Sequence, residues 1–225
     1  MTAVKTPSVP PTSSAGAASA SRARLTAGAR LAWLHLRSRR GPTAVLALAA
    51  CAAALRAVLH WQLTAGGGLA QEIPMIIEAG AAVLVVVTTH SPFGEAERAT
   101  GRWLPYLRLG AVLALTGAAI GLLQLGATGA SLNDGVLTLA RNVIGLTGIG
   151  LLTSLVTGGL LAWIVPLAYV GFAEYTLAEA WRAPWMWPGR PPSDRGAWIC
   201  AAVVFAVGLL AFAVRGARTR LADDA

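Results

Sequence analysis

Four ionisable side chains interrupt segments of the chain that are otherwise apolar. They are two acids and two bases, Arg56, Glu78, Arg141 and Glu174. A charged group inside a bilayer costs about 2.5–3.5 kcal/mol, so each of them needs a partner or contact with water. Acids and bases at matched depth neutralise one another, and we expect Glu78 to pair with Arg141. Two roles remain open for this intramembrane polar cluster. One is a polar lining for an outward-facing cavity or exit path, and the other is structural, as static ion pairs that hold helices together or as side chains that extend to the lipid headgroups.

Catalysis and metal binding are not predicted. His35, His60 and His90 fall on different segments and cannot form a helical metal site. Cys51 and Cys200 lie in separate apolar runs, and this pair gives neither a disulfide framework nor a metal-binding spacing. The sequence also contains no glycine-rich phosphate loop. We therefore expect a protein that is not an enzyme, without a metal site or a cofactor.

A second polar feature is the segment from His90 to Arg102, which separates two apolar runs. A helix is expected to end just before Pro92, because the residue before a proline is biased away from helical conformation. Pro92 can then begin a short helix, in which the dipole favours Glu95 and Glu97 near the N-terminus. Gly101 is expected to end that helix. The alternative is a solvated connector without a helix of its own.

The composition indicates that the chain is a membrane protein. Hydrophobic residues make up 56% of the chain, charged residues 12%, and the mean hydropathy is +0.62. A soluble domain of this length has too little interior to bury so many apolar side chains. The net charge is +8, and the basic residues are concentrated at the N-terminus, the polar segment and the C-terminus, a distribution typical of membrane orientation. We therefore expect a lipid bilayer, and no nucleic acid, as a partner.

We predict an all-α membrane protein with six transmembrane helices preceded by an interfacial amphipathic elbow helix. Residues 1–21 are expected to form a disordered tail, residues 22–41 the elbow helix, and residues 216–225 a second tail. The transmembrane domain covers residues 42–215, with approximate spans at 43–60, 73–89, 103–125, 136–156, 158–177 and 197–214. The fourth and fifth spans divide one long apolar run at Gly158.

Charge distribution predicts the orientation of these spans. Six spans place both termini on one side, and most of the 18 Lys and Arg residues belong to segments on that side. We expect the protein to lie in the plasma membrane. The positive-inside rule then places both termini and the polar segment His90–Arg102 in the cytoplasm. The tryptophans of the loop Trp181–Trp198 are expected to form an interfacial belt outside. Pro166 is expected to kink the fifth span.

These features together resemble the membrane subunits of type-2 ATP-binding-cassette (ABC) exporters. Those proteins have six spans, a preceding elbow helix, cytoplasmic ends and a coupling helix between the second and third spans. The residues that match the coupling-helix pattern are Phe93, Glu95, Glu97, Arg98, Thr100 and Gly101. Arg141-Asn142 and the stretch Trp163–Pro166 are similar to small actinobacterial members of this group. The resemblance extends over about residues 25–220, without the large extracellular insert of many relatives.

The resemblance implies a permease subunit that exports an unidentified substrate. ATP would be hydrolysed by a separate ATPase subunit, and a second permease subunit would complete a homo- or heterodimer. The ATPase-coupling helix would comprise Pro92, Phe93, Gly94, Glu95, Glu97, Arg98 and Gly101. The alternative is a non-transporting integral membrane scaffold or immunity-type protein, which acts by lateral contacts and has no ATPase partner.

Overall fold

In a computed structural model, the described part of the chain consists of α-helices and short turns. The described residues are 41–65, 72–89, 104–129, 135–178 and 185–215. Their six α-helices are α1 (Gly41–Ala65), α2 (Glu72–Thr89), α3 (Leu104–Gly126), α4 (Gly135–Thr157), α5 (Ile164–Ala178) and α6 (Arg195–Arg215). Short 3-10 turns at Gly159–Leu161 and Trp187–Gly189 precede α5 and α6. The predicted all-helical class with six helices is confirmed.

Four helices contain segments that are long and apolar enough to cross a membrane. These segments are Pro42–Trp61, Pro105–Gly126, Gly135–Thr157 and Arg195–Arg215. The other two helices, α2 with 18 residues and α5 with 15, are shorter. At 1.5 Å per residue they extend about 27 Å and about 22 Å, against a hydrocarbon layer of about 30 Å.

Several predicted regions lie outside the described residues. They are the N-terminal tail 1–21, residues 22–40 of the elbow helix, and the C-terminal tail 216–225. Gly41, the predicted last residue of the elbow helix, is instead the first residue of α1. Pro42 follows in the first turn of α1, where a missing N–H removes no helical hydrogen bond.

The chain reverses direction at Gly158, between α4 and α5. Gly158 has φ 84° and ψ 166°, a conformation that glycine adopts without the steric cost of a side chain. Its N–H donates to the Ser154 carbonyl at 3.1 Å, which satisfies one acceptor at the end of α4. α5 begins only at Ile164, so Pro166 lies in its first turn, where a proline is tolerated. Within the predicted fifth span, Pro166 thus lies where the 3-10 turn Gly159–Leu161 gives way to the regular helix α5.

Helices α2, α4 and α6 run parallel to one another. Glu78 contacts Asn142, and eight residues further along both helices Val86 lies against Gly150, which fixes the register of α2 on α4. We call the end at which α2, α4 and α6 begin the outer end, following the orientation predicted from charge. The Gly158 turn, the end of α2 and the start of α3 lie at the opposite, inner end.

The central helix of the bundle is α4, which packs on α2, α3, α5 and α6. Its closest neighbour is α6. A Cβ built on Gly148 would lie 2.6 Å from both the Cα and the backbone N of Phe205, and a Cβ on Gly208 would lie 2.6 Å from the Gly148 carbonyl oxygen. Glycines therefore let α4 and α6 meet backbone to backbone, as small residues do between membrane helices.

The outside of the bundle is apolar. Large exposed hydrophobic side chains occur on most helices and include Leu46, Tyr106, Leu125, Tyr175 and Val214. An apolar surface of this extent is not stable in water, and the acyl chains of a bilayer are the environment that it fits.

We expect Gly148→Ala to destabilise the bundle by about 1–3 kcal/mol, because overpacking against a neighbouring backbone forces that backbone to shift. Gly117→Ala in α3 is the matched control, since a Cβ there meets nothing within 4 Å and alanine favours a helix. Thermal unfolding in detergent, followed by circular dichroism, measures both variants. Equal unfolding midpoints for the two variants would contradict the close contact between α4 and α6.

Candidate functional site

A buried carboxylate–amide pair lies in the outer half of the bundle. Glu78 of α2 is 6% exposed, and its Oε2 accepts a hydrogen bond of 2.8 Å from the Nδ2 of Asn142 in α4. Both residues lie roughly 10 Å along their helices from the outer end, at 1.5 Å per residue. Parallel packing of α2 and α4 therefore brings the two side chains to one depth.

Arg141, the residue before Asn142, has different partners. Its side chain is completely buried, and its guanidinium donates through one terminal nitrogen to the Pro191 carbonyl at 2.8 Å and through the other to the Arg190 carbonyl at 2.9 Å. Consecutive residues of a helix point about 100° apart, so Arg141 and Asn142 face different neighbours. The hydrogen bonds described for Arg141 thus go to the outer end of the bundle, while its interaction with the predicted partner Glu78 is electrostatic.

The other two members of the predicted polar cluster do not join these contacts. Arg56 of α1 is exposed, and its guanidinium donates to the Thr128 carbonyl at 3.4 Å, in the turn after α3. Glu174 belongs to α5, and its side chain lies outside the described ones. The hydrogen bond described for Glu78 is therefore the one from Asn142, and among the four charged residues Arg141 is the one whose charge acts on it.

The segment Trp185–Asp194, which we call the outer strap, crosses the outer end of the bundle before α6. Trp187 is 2% exposed and lies against Gly145 of α4, where a Cβ would be 2.6 Å from two atoms of its indole ring. Tyr169 of α5 packs its ring on Trp187, with centroids 4.8 Å apart, and its hydroxyl donates to the Trp185 carbonyl at 2.6 Å. Trp187 is therefore a core residue rather than part of the predicted interfacial belt.

Asp194 connects the outer strap to α6. Its Oδ1 accepts the backbone N–H of Ala197 at 3.1 Å, as an N-cap residue does, and its Oδ2 lies 2.6 Å from Arg190. The hydrogen bond from Ala197, with the nearby charge of Arg190, lowers the pKa of Asp194 below its usual range. Asp194 is therefore ionised at neutral pH, and it orders the residue whose carbonyl accepts from Arg141.

The predicted coupling helix lies outside the described residues. Its members are Pro92, Phe93, Gly94, Glu95, Glu97, Arg98 and Gly101. The flanking helices are described: α2 ends at Thr89 and α3 begins at Leu104. Both of these helix ends lie at the inner end of the bundle, opposite the outer strap.

Sequence reasoning did not identify Asn142 and Tyr169 as site residues. An amide inside an apolar helix is itself a signal, because membrane helices use such side chains for hydrogen bonds across helix contacts. Tyr169 carries no comparable signal, since a tyrosine near the end of a span is equally typical of an interface with lipid.

The described residues contain no group of three or more His, Cys, Asp and Glu side chains that could hold a metal ion. A comparison of the chain with protein-family models, curated proteins and solved structures found no match. The resemblance to ABC permeases therefore stays a prediction made from the sequence.

We expect Asn142→Leu to destabilise the protein by about 1–3 kcal/mol, because it leaves the buried Glu78 carboxylate without its hydrogen-bond donor. Glu78→Gln is the matched variant: it removes the charge but retains an oxygen that accepts from Asn142, so we expect stability close to wild type. Thermal unfolding in detergent compares the two. Wild-type stability for Asn142→Leu would show that the contact contributes nothing.

Proposed function

We propose that the chain is the transmembrane permease subunit of an ABC transporter, which exports a substrate with ATP hydrolysed by a separate ATPase subunit. The observation that carries the proposal is the position of the charged sequence Phe93–Gly101 in the order of helices. It connects the end of α2 to the start of α3, and both helices pack on α4. A partner bound to this segment would act on two neighbours of the central helix.

In this proposal α2 transmits displacement from the inner to the outer end. Its register on α4 is held by the contact of Glu78 with Asn142 and by that of Val86 with Gly150. A movement of α2 along its axis must therefore break these contacts or carry α4 with it. Since Arg141 of α4 binds the outer strap, force applied at the inner end would change contacts at the outer end.

The proposal includes the membrane arrangement expected from the sequence. All six helices cross the plasma membrane, both termini are cytoplasmic, and a second permease subunit, identical or different, pairs with this one. The bias of Lys and Arg toward the chain ends and the 90–102 segment supports this orientation. The short helices α2 and α5 are compatible with spanning, because a bilayer thins locally at modest cost next to a short helix.

The experiment that tests the proposal is purification of the tagged chain from its native membranes in mild detergent. Mass spectrometry should find an ATPase subunit with a P-loop in the complex. The double variant Phe93→Ala/Glu97→Ala should reduce recovery of that subunit at least tenfold, equivalent to about 1.4 kcal/mol of binding free energy. The thermal midpoint of the chain itself should not change.

Arg56→Ala is the matched control, because it removes an exposed charge from the outer half of the bundle. It should retain the ATPase subunit. Failure to find an ATPase with the wild-type chain, or full recovery with the double variant, would contradict the proposal and favour a scaffold that acts by lateral contacts.

A further inference from the structure

We propose that the outer strap is a lid: its middle opens while its ends stay attached, Arg141 holds it closed, and opening admits water to the Glu78–Asn142 pair. The inference concerns the outer end of this chain alone and does not require an ATPase partner.

Two side chains of the outer strap insert into the bundle. Met186 and Trp187 are each 2% exposed. Met186 packs in a cluster with Met75 and Ala79 of α2, which lie three residues before and one residue after Glu78. Trp187 occupies the space that Gly145 leaves on α4, one helical turn from Asn142. The middle of the strap therefore covers the carboxylate–amide pair.

The ends of the outer strap are attached separately from its middle. At the start, the Trp185 ring stacks on Phe172 with centroids 6.0 Å apart, and its carbonyl accepts from Tyr169 of α5. At the other end, Pro192 accepts the indole N–H of Trp198 at 2.9 Å, and Asp194 caps α6. Between these attachments, Arg141 donates to backbone carbonyls, Met186 packs on α2, and Trp187 packs on Gly145 of α4 and Tyr169 of α5. The middle of the strap can lift by breaking these side-chain contacts while Trp185 and Asp194 stay attached.

Polar atoms without partners lie at the contact between the outer strap and α4, which lowers the cost of opening. The Nε of Arg141, the Oδ1 of Asn142 and the Nε1 of Trp187 are buried and have no hydrogen-bond partner in the described part of the chain. A buried polar atom without a partner is unfavourable by about 1–3 kcal/mol. Opening would expose all three to water, and their hydration would offset the two hydrogen bonds that Arg141 gives up.

The native Cys200 of α6 reports on opening, because it packs against the cluster that contains Trp187. In a Cys51→Ser background it is the one thiol of the chain, which has two cysteines. A membrane-impermeant quaternary-ammonium methanethiosulfonate, added outside intact cells, should label Cys200 much more slowly than in the denatured protein. Arg141→Lys keeps the charge but loses the guanidinium that donates to both strap carbonyls at once, and we expect at least tenfold faster labelling of Cys200.

Gly145→Ala is a second, independent variant. It retains Arg141, but its Cβ displaces the Trp187 ring, so it should also accelerate labelling at least tenfold. Arg56→Lys is the matched control and should label at the wild-type rate, since its guanidinium contacts Thr128 and not the outer strap. Hydrogen exchange should increase in the peptide 185–194 of both strap variants and remain unchanged in peptides from α6.

Three labelling results would overturn the lid. They are labelling of the wild-type chain as fast as in denatured protein, wild-type labelling rates in both strap variants, and equal acceleration in Arg56→Lys. Faster exchange throughout α6 would also overturn it, because that result indicates loss of the bundle rather than movement of the strap.

Discussion

A charged or polar group inside a membrane bundle must find its hydrogen-bond partners within the protein, and the outer half of this molecule is arranged around that requirement. Arg141 is fully buried, and its guanidinium donates hydrogen bonds to two backbone carbonyls of the outer strap. Those carbonyls are held in place by the Asp194 contacts at the start of α6. A single side chain thus couples the central helix to the segment that precedes the last helix.

The same requirement explains why α4 is the centre of the fold. Its polar residues contact α2 and the outer strap, and its glycines provide the other contacts. Gly145 makes room for an indole ring, and Gly148 admits the backbone of α6. A helix that carries both small and polar residues can pack on several neighbours at once, whereas a helix covered with large apolar side chains is better suited to lipid.

The positions of the helices could be predicted from the sequence, whereas the rotation of each helix about its own axis, which decides its neighbours, could not. Long apolar runs determine where a span lies, and Gly158 between two such runs could be recognised as the turn because few other residues adopt its conformation. The partner of Glu78 was not predictable in the same way, since Arg141 and Asn142 are adjacent and a 100° rotation of α4 exchanges them. The burial of Trp187 depends on a glycine 42 positions earlier in the chain, which only the tertiary structure brings beside it.

The central claim is that Glu78 accepts its hydrogen bond from Asn142, while Arg141 donates its hydrogen bonds to the outer strap. Double-mutant cycles on unfolding free energy in detergent test it most directly, with Glu78→Met combined first with Asn142→Leu and then with Arg141→Met. We expect a coupling energy of about 1 kcal/mol or more for Glu78 with Asn142, within the range found for residues in contact, and a clearly smaller one for Glu78 with Arg141. The opposite order would contradict the account.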